Sequence, residues 1–495
     1  MKKILLSIVS TSALACTLYG AKVQAQTLNN IEISSSRELK IQNLNTVLNN
    51  YLGKKISARL LQNLLNELSA FYQKQGYLAA RAYFPEQEST NGVLKVVIES
   101  ARLNEIIIEN QSNCSNGTVY KLLNAVRHEQ NKDISSKTIN NHLLKVQDLN
   151  VFDISGYFSN NADNMVDLTL NLQNKHPVSY EIFYDNYGTK NSGKNRLVGI
   201  FNTDNIFKSA DKFSFYASST DKKQQNYGFD FKLPVDSNLD VLGLSFSYGL
   251  YDLSGEYKDL KANGSVYNLD PYFVSLLYID ENYRLKAKIN PYYKSMQDNL
   301  DAFDVRLKRH TYGSRFSLGF DALSEKVSVF NNLTLNYGRL KNDDDYNLYE
   351  DKSYTIFNFE NMVNVPLPYD LTLTNTLNIQ YANTSVDASD KFMLGGAYAV
   401  KAYQSNIASA DIGLFDDLKV QSRINTYSNV YVNLMQSHAK NVNSKKESLY
   451  GFGIGSNFNY EGFYLNPSVN IPFGKNKKFA ENSTTLLIKF GYSSL

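Results

Sequence analysis

Hydrophobic residues recur at every second position through most of the chain from Ser179 to Leu495. Leu371, Leu373, Leu377, Ile379 and Tyr381 fall on one face of an extended segment, and Thr372, Thr374, Thr376, Asn378 and Gln380 on the other. Leu242, Leu244, Phe246 and Tyr248 alternate with Gly243, Ser245 and Ser247, and Leu333, Leu335 and Tyr337 with Thr334 and Asn336. Tyr450, Phe452 and Ile454 alternate with Gly451, Gly453 and Gly455. Period two is the signature of a strand with two different faces. The polar face of a soluble sandwich normally carries charge. Here it is often Gly, Ser, Thr and Asn, which suits the wall of a wet lumen with the apolar face toward lipid. About sixteen such segments are discernible, each with the roughly 9–11 residues that cross a bilayer as a tilted strand. Such a sheet must close, because an open edge in hydrocarbon leaves unpaired N–H and C=O groups costing several kcal/mol each. The expected fold class is an all-β transmembrane barrel of about 16 antiparallel strands.

Before residue 177 the periodicity is different. From Leu28 to Ala101 the pattern reads β-α-α-β-β. Ile31–Ile33 is a short strand, and Leu44, Leu48 and Leu52 share a helix face. Ser57 can cap a second helix with the stripe Leu61, Leu64, Leu65, Leu68, Phe71 and Tyr72, which Gly76 ends. Strands over Tyr77–Phe84 and Gly92–Glu99 follow, joined by a turn over residues 85–91. The same order repeats from Arg102 to Asn174. Leu103–Ile108 reads as a strand, and Val119, Leu122, Leu123 and Val126 mark one helix. Ile139, Leu143, Leu144 and Val146 mark another, before strands over Phe152–Phe158 and Met165–Leu172. An internal repeat of one element order is a pair of like domains. The predicted division is therefore residues 1–25, 26–101, 102–176 and 177–495.

The first 25 residues read as an export signal. Lys2 and Lys3 precede an apolar run from Ile4 to Leu18, and Val23-Gln24-Ala25 fits a small-residue cleavage site. Lipid attachment at Cys16 competes with this reading, but Ala13 occupies the position where such sites carry leucine. After the signal no run of about 18 apolar residues occurs, so helical membrane spans are excluded. The net charge of +3, spread along the chain, offers no nucleic-acid footprint. With 36 Tyr and 27 Phe among 495 residues, aromatic belts at two membrane interfaces are well supplied, although an AT-rich genome enriches the same residues. After the signal only Cys114 remains, so neither an internal disulfide nor a CxxC site is expected.

In this setting particular motifs resemble the outer-membrane transporters of two-partner secretion, the TpsB family of FhaC/ShlB/HecB haemolysin secretion/activation type. Gly76 through Gln87, with Phe84-Pro85-Glu86-Gln87, then Asn91-Gly92-Val93-Leu94, is similar to that family's first POTRA domain. Asp185-Asn186-Tyr187-Gly188, followed by Ser192-Gly193 and Asn205, resembles its first barrel hairpin. Leu394-Gly395-Gly396, then Val400-Lys401-Ala402-Tyr403, stands where the family has LGG…VRGY. The resemblance implies two α+β POTRA domains in the periplasm before the barrel. It also implies a sixth extracellular loop that folds back into the lumen carrying the Val400–Tyr403 motif. The family pairs the motif Arg with an Asp of a late strand; here these positions hold Lys401 and Asn433, and the motif Gly is Ala402. Tyr77, Tyr83 and Phe84 are the candidate positions near a partner-capture surface, against the plainer reading that they pack the domain core. No N-terminal plug helix is expected. The chain tail, Ser493-Ser494-Leu495, departs from the usual terminal Phe.

The resemblance implies capture of an unfolded secreted partner, an adhesin or haemolysin, with the barrel-assembly machinery and outer-membrane lipid as the other partners and no nucleic acid. Export would need no cofactor, and no nucleotide-binding motif is present. Enzyme readings find little support: the five His are scattered without HExxH spacing and no GxSxG occurs. Asp343-Asp344-Asp345 reads as a solvated turn rather than a cation site, and Asp185 as a hairpin residue. A BamA- or TamA-like insertase, a diffusion porin and a soluble periplasmic binding protein are the alternatives. The insertases usually carry more POTRA domains, and a porin needs no N-terminal repeat.

Overall fold

The computed structural model describes residues 7–8, 27–35, 44–77, 80–87, 92–100, 102–130, 136–160, 165–175, 177–222, 224–346, 349–405, 407–441 and 446–494. The cleavage site, Cys16 and the stretch where a plug helix would begin lie outside them. The chain divides into two compact units, one of Met1–Ser112 with Val119–Asn174 and the other of Lys175–Leu495 with Asn113–Thr118.

In the N-terminal unit two small sheets share one plan. In the first, Val93–Glu99 is central, with Asn30–Ser35 parallel on one side and Arg81–Tyr83 antiparallel on the other. In the second, Met165–Asn174 is central, Arg102–Asn110 is parallel to it and Phe152–Asn160 antiparallel. Ser7–Ile8 lies parallel to the free edge of Phe152–Asn160. The helix Ala58–Lys74 covers the first sheet. Its start is fixed by Ser57, whose Oγ accepts from Leu60 N at 3.2 Å. Its end is fixed by Gly76, at a φ of +105° that a side chain would resist. Leu64, Leu68 and Tyr72 are buried against Leu94, Val96 and Ile98, with Leu61, Leu65 and Phe71 beside them.

Two helices differ from expectation. The stripe at Leu44, Leu48 and Leu52 is a single turn, Asn45–Leu48, whose buried residue is Val47. Leu52 is exposed because the chain turns away at Gly53. The stretch Val119–Val126 is two helices, Asn116–Leu122 and Asn124–Arg127, broken at Leu123. All four of its apolar side chains are nonetheless buried, as are Ile139, Leu143, Leu144 and Val146 of the helix Ser136–Asp148. Burial follows the periodicity even where the backbone breaks.

The second unit is a closed antiparallel barrel of sixteen strands. The first strand, Val178–Asp185, closes on the last, Thr485–Ser493, through five residue pairs from Glu181↔Ser493 to Asp185↔Lys489. Tyr180 and Ser494 extend this seam, Ser494 N donating to Tyr180 O at 2.9 Å and Tyr180 N to Ser494 Oγ at 2.8 Å. The alternation is inverted relative to a soluble protein. Leu335 and Tyr337 are 48% and 61% exposed, while Asn336 between them is 6% exposed. An apolar face this continuous is stable only against lipid.

The chain enters the barrel at Val178, at the end where connections are short, such as residues 368–370 and 461–462. Longer connections lie at the other end, above all residues 383–411. Strands from Ala262 to Leu367 run to as many as 19 residues, more than the roughly 9–11 a bilayer needs, so they extend past it.

Candidate functional site

The long connection 383–411 folds into the barrel. Its two limbs are tied by a short ribbon, Phe392–Met393 against Ser409–Ala410. Beyond the ribbon the tip is wound on itself. Gly395 bridges Val400, and Val400 N donates to Leu394 O at 3.2 Å. Gly396 has a φ of +112°, and a Cβ there would meet Ser405 Oγ at 2.4 Å, so the second Gly of the motif is required on both counts. Leu394, Val400, Ala402 and Tyr403 are buried with Phe415, Met435, Ala439 and Leu449 of the wall.

The wall glycines explain how the tip can sit there. A Cβ at Gly451 would come 2.9 Å from Val400 Cγ1 and 3.1 Å from Ala402 Cβ. One at Gly413 would overlap the Phe392 ring at 2.1 Å. Gly451 and Gly413, on two different wall strands, are thus the floor on which the loop rests.

The motif cation, Lys401, faces Asp417 of strand Ile412–Arg423, with Lys419 as the like charge nearby. Its ammonium lies 5.8 Å from the Tyr431 ring centroid. Asn433 donates through Nδ2 to Asp417 Oδ1 at 2.8 Å, and its own Oδ1 has no hydrogen-bond partner among the described residues. The acidic group facing the loop therefore stands on the strand beside Asn433, and Asn433 orients that carboxylate. Asp417 lies about 17 Å along its strand from the loop end, so the tip reaches well inside.

Other contacts hold the tip from the seam side. Arg196 grips Asp185 with both ends of its fork, Nε to Oδ1 at 2.7 Å and Nη2 to Oδ2 at 2.8 Å, and also reaches Tyr398 OH at 3.4 Å. Tyr187 packs edge-on against Tyr398 with centroids 6.1 Å apart. Thr485 Oγ1 donates to Ala402 O at 3.0 Å, and Gln404 hydrogen-bonds Glu481. Arg196, held by Asp185 within the first hairpin, thus ties that hairpin to the loop through Tyr398.

The base of the loop carries a group that motif reading did not single out. Arg309 Nε donates to Asp387 Oδ2 at 2.5 Å, and Lys294 Nζ to Asp390 Oδ1 at 2.7 Å. The only sequence signal was the run Asp387-Ala388-Ser389-Asp390, a turn composition with no period to mark it. In the acidic turn, Asp343 meets His310 Nδ1 at 2.6 Å and Asp344 accepts from Lys308 N at 2.7 Å. No group of three or more His, Cys, Asp or Glu fit to hold a metal occurs among the described residues.

The three capture candidates divide. Tyr77 and Phe84 are partly buried against the first domain's core. Tyr83 is 41% exposed, on the edge strand Arg81–Tyr83.

Comparison with known proteins places this geometry. Residues 164–458 match the family model of haemolysin secretion/activation protein ShlB/FhaC/HecB, and residues 26–100 match the POTRA domain, ShlB-type. The heme/hemopexin transporter protein HuxB of Haemophilus influenzae (strain 86-028NP) is 26% identical over 474 residues, covering 89% of this chain and 82% of that protein. Outer membrane transporter CdiB of Dickeya dadantii (strain 3937) is 24% identical over 249 residues, covering 49% of this chain and 41% of that protein. The structure of CdiB from Escherichia coli superposes with a TM-score of 0.76 at 14% identity, over 98% of this chain and 93% of that one. BamA from Haemophilus ducreyi lacking POTRA domains 1–3 shares the fold, with a TM-score of 0.57 at 12% identity, over 94% of this chain and 100% of that one. The family match spans more than half of the chain and includes the folded-back loop, so the chain belongs to the ShlB/FhaC/HecB haemolysin secretion/activation family and is an outer-membrane transporter of two-partner secretion.

Proposed function

We propose that residues 26–101 and 102–176 act as two POTRA domains that capture an unfolded secreted partner in the periplasm, and that the barrel of residues 177–495 passes it outward. The observation that carries this reading is the long loop lodged in the lumen of a barrel that belongs to a secretion family. A loop held by many weak contacts is a removable stopper, whereas a diffusion porin needs a standing passage. Edge strands of the small sheets would bind an extended segment by backbone pairing, with Tyr83 exposed on one such edge for side-chain contact. With no ATP in the periplasm, folding of the partner outside would bias the direction of passage.

The partner would be a large secreted protein of adhesin or haemolysin type. The relative HuxB is called a heme/hemopexin transporter, which adds a haem-acquiring partner to these classes. Barrel-assembly machinery would insert the chain during biogenesis. The test is deletion of this protein followed by analysis of the culture supernatant. Loss of one high-mass species, restored by the intact chain, is the expected result. An unchanged supernatant under conditions where the neighbouring reading frames are expressed would overturn the reading.

A further inference from the structure

We propose that the folded-back loop is held in the lumen by a second clasp, separate from the Val400–Tyr403 tip, in which Arg309 and Lys294 of the wall grip Asp387 and Asp390 of the loop. Opening of the channel then requires release of this clasp.

The geometry is that of a mount rather than of incidental surface pairing. Arg309 stands between two carboxylates, with Nε on Asp387 at 2.5 Å and Nη1 on Asp298 at 2.6 Å. Asp387 and Arg309 side chains are 0% and 6% exposed. Tyr251 OH also donates to Asp298, at 2.5 Å, and the Arg309 guanidinium lies 4.2 Å from the Tyr349 ring centroid. The wall cation is therefore fixed before the loop arrives.

On the loop side, Asp387 uses its two oxygens differently. Oδ2 takes Arg309, while Oδ1 accepts from Ser389 N at 2.9 Å and Ser389 Oγ at 2.6 Å. The turn that presents Asp390 is thereby locked to the same carboxylate. Lys294 Nζ closes the second contact, donating to Asp390 Oδ1 and Ser389 Oγ, each at 2.7 Å.

The clasp acts on the whole excursion because the limbs of the loop are tied together. Asp411, at the far end, accepts from Val386 N at 3.0 Å and lies 3.7 Å from Lys391 Nζ. With the ribbon above it, the segment from Val386 to Asp411 moves as one body. Its tip rests on strand Glu447–Tyr460, six strand positions around the barrel from the strand that carries Arg309. Removing the tip from one wall while the clasp holds the other leaves the lumen obstructed.

The two holds differ in kind: the base pairs are buried ion pairs with direct hydrogen bonds. Lys401 is drawn to Asp417 of the wall on which the tip rests, without a described hydrogen bond or ion-pair contact. Arg309 gives one arm to Asp387 of the loop and the other to Asp298 of the wall, and Lys294 adds a second hold on Asp390. Buried pairs of this kind add little net stability, but loss of one partner leaves an uncompensated charge. They are suited to fixing one position of a moving part.

The test is conductance of the purified full-length protein in planar lipid bilayers, which needs no cargo. Asp387→Asn and Lys294→Glu should each raise the time-averaged open fraction at least about tenfold, with heat-modifiable gel mobility unchanged. The reversed pair Lys294→Glu/Asp390→Lys should return to within about twofold of the parent. Lys341→Gln, which breaks a pair with Asp351 off the loop, should gate like the parent. Parent-like gating in both single variants, or a reversed pair as open as its single parent, would overturn the clasp. Should Asp387→Asn fail to insert, Arg309→Lys, which keeps the charge and removes the fork, is read against the same thresholds. The inference rests on the transport reading only for its consequence. Raised conductance without any lost secreted species would leave the clasp standing and count against the cargo.

Discussion

Lys401 of the loop tip and Asp417 of the wall carry opposite charges that attract each other without a described ion-pair contact, and Asn433 orients the carboxylate from the next strand. Removal of either charge strands the other inside the barrel, where the cost is greatest. Lys401→Ala and Asp417→Asn are each expected to lower partner export several-fold at equal barrel levels. The double variant is expected to lie closer to the parent than the sum of the two, because it removes both charges together. Quantifying the secreted species across this cycle checks it; strict additivity would show that the two residues act independently. His142 offers a different single-residue test, in the second N-terminal domain. Its ring Nε2 donates to Leu122 O at 2.7 Å, and burial lowers its pKa below the ordinary 6.5. The unfolded chain therefore takes up the proton more readily. Stability from the neutral ring is fully present above about pH 6.5, the unfolded value, and is lost progressively as pH falls from there through the lower folded value. Hydrogen exchange of residues 116–148 in the full-length protein should accelerate from pH 7.5 to 5.5 after correction for the intrinsic rate, and His142→Gln should flatten the dependence.

At the scale of elements, the helix Ala58–Lys74 and the strand Glu447–Tyr460 show how a pattern becomes a surface. The helix offers one stripe to its sheet, and Leu68 at its centre is fully buried. Leu68→Ala should destabilise that domain by about 2–5 kcal/mol. Limited proteolysis should then cut within residues 27–100 first, while the barrel keeps its heat-modifiable mobility. If both units became labile together, they would be one cooperative body. On the strand, Gly451 leaves the room that Val400 and Ala402 occupy. Gly451→Val should displace the tip while sparing the sheet, since the closest atoms it meets are side chains of Val400 and Ala402, with the flexible end of its cross-strand partner Met435 next at 3.4 Å and no wall backbone among them. A cysteine at the exposed Tyr398 would report this as a changed rate of maleimide labelling from outside the cell.

At the scale of the molecule, closure governs everything. Sixteen strands leave no free edge in the membrane, and the outward side chains form an apolar band. The chain is expected in the outer-membrane fraction, soluble only in detergent, with a gel mobility that changes on boiling. Excision of residues 386–411 with a short linker should leave that behaviour intact and give a permanently open pore. A barrel that stayed closed would show that something other than the loop fills the lumen.

The period-two pattern was enough to establish strands, their lumenal faces and the closed architecture, because lipid on one side and water on the other impose opposite preferences on neighbouring residues. The glycines at 451, 453 and 455 were legible as lumenal for the same reason, as was the buried stripe from Leu61 to Tyr72. The motif at Val400–Tyr403 was visible only as a local string. That the carboxylate facing Lys401 is Asp417 could not be read, since alternation places Asp417 on the lumenal face but does not say which lumenal group the tip of a distant loop will meet. The clasp of Arg309 and Lys294 with Asp387 and Asp390 was equally hidden. Its members lie far apart along the chain, in segments whose alternation says polar or apolar but never which polar group meets which. Periodicity encodes the solvent on each face; the pairing of charges across a lumen depends on the curvature and register of the finished barrel.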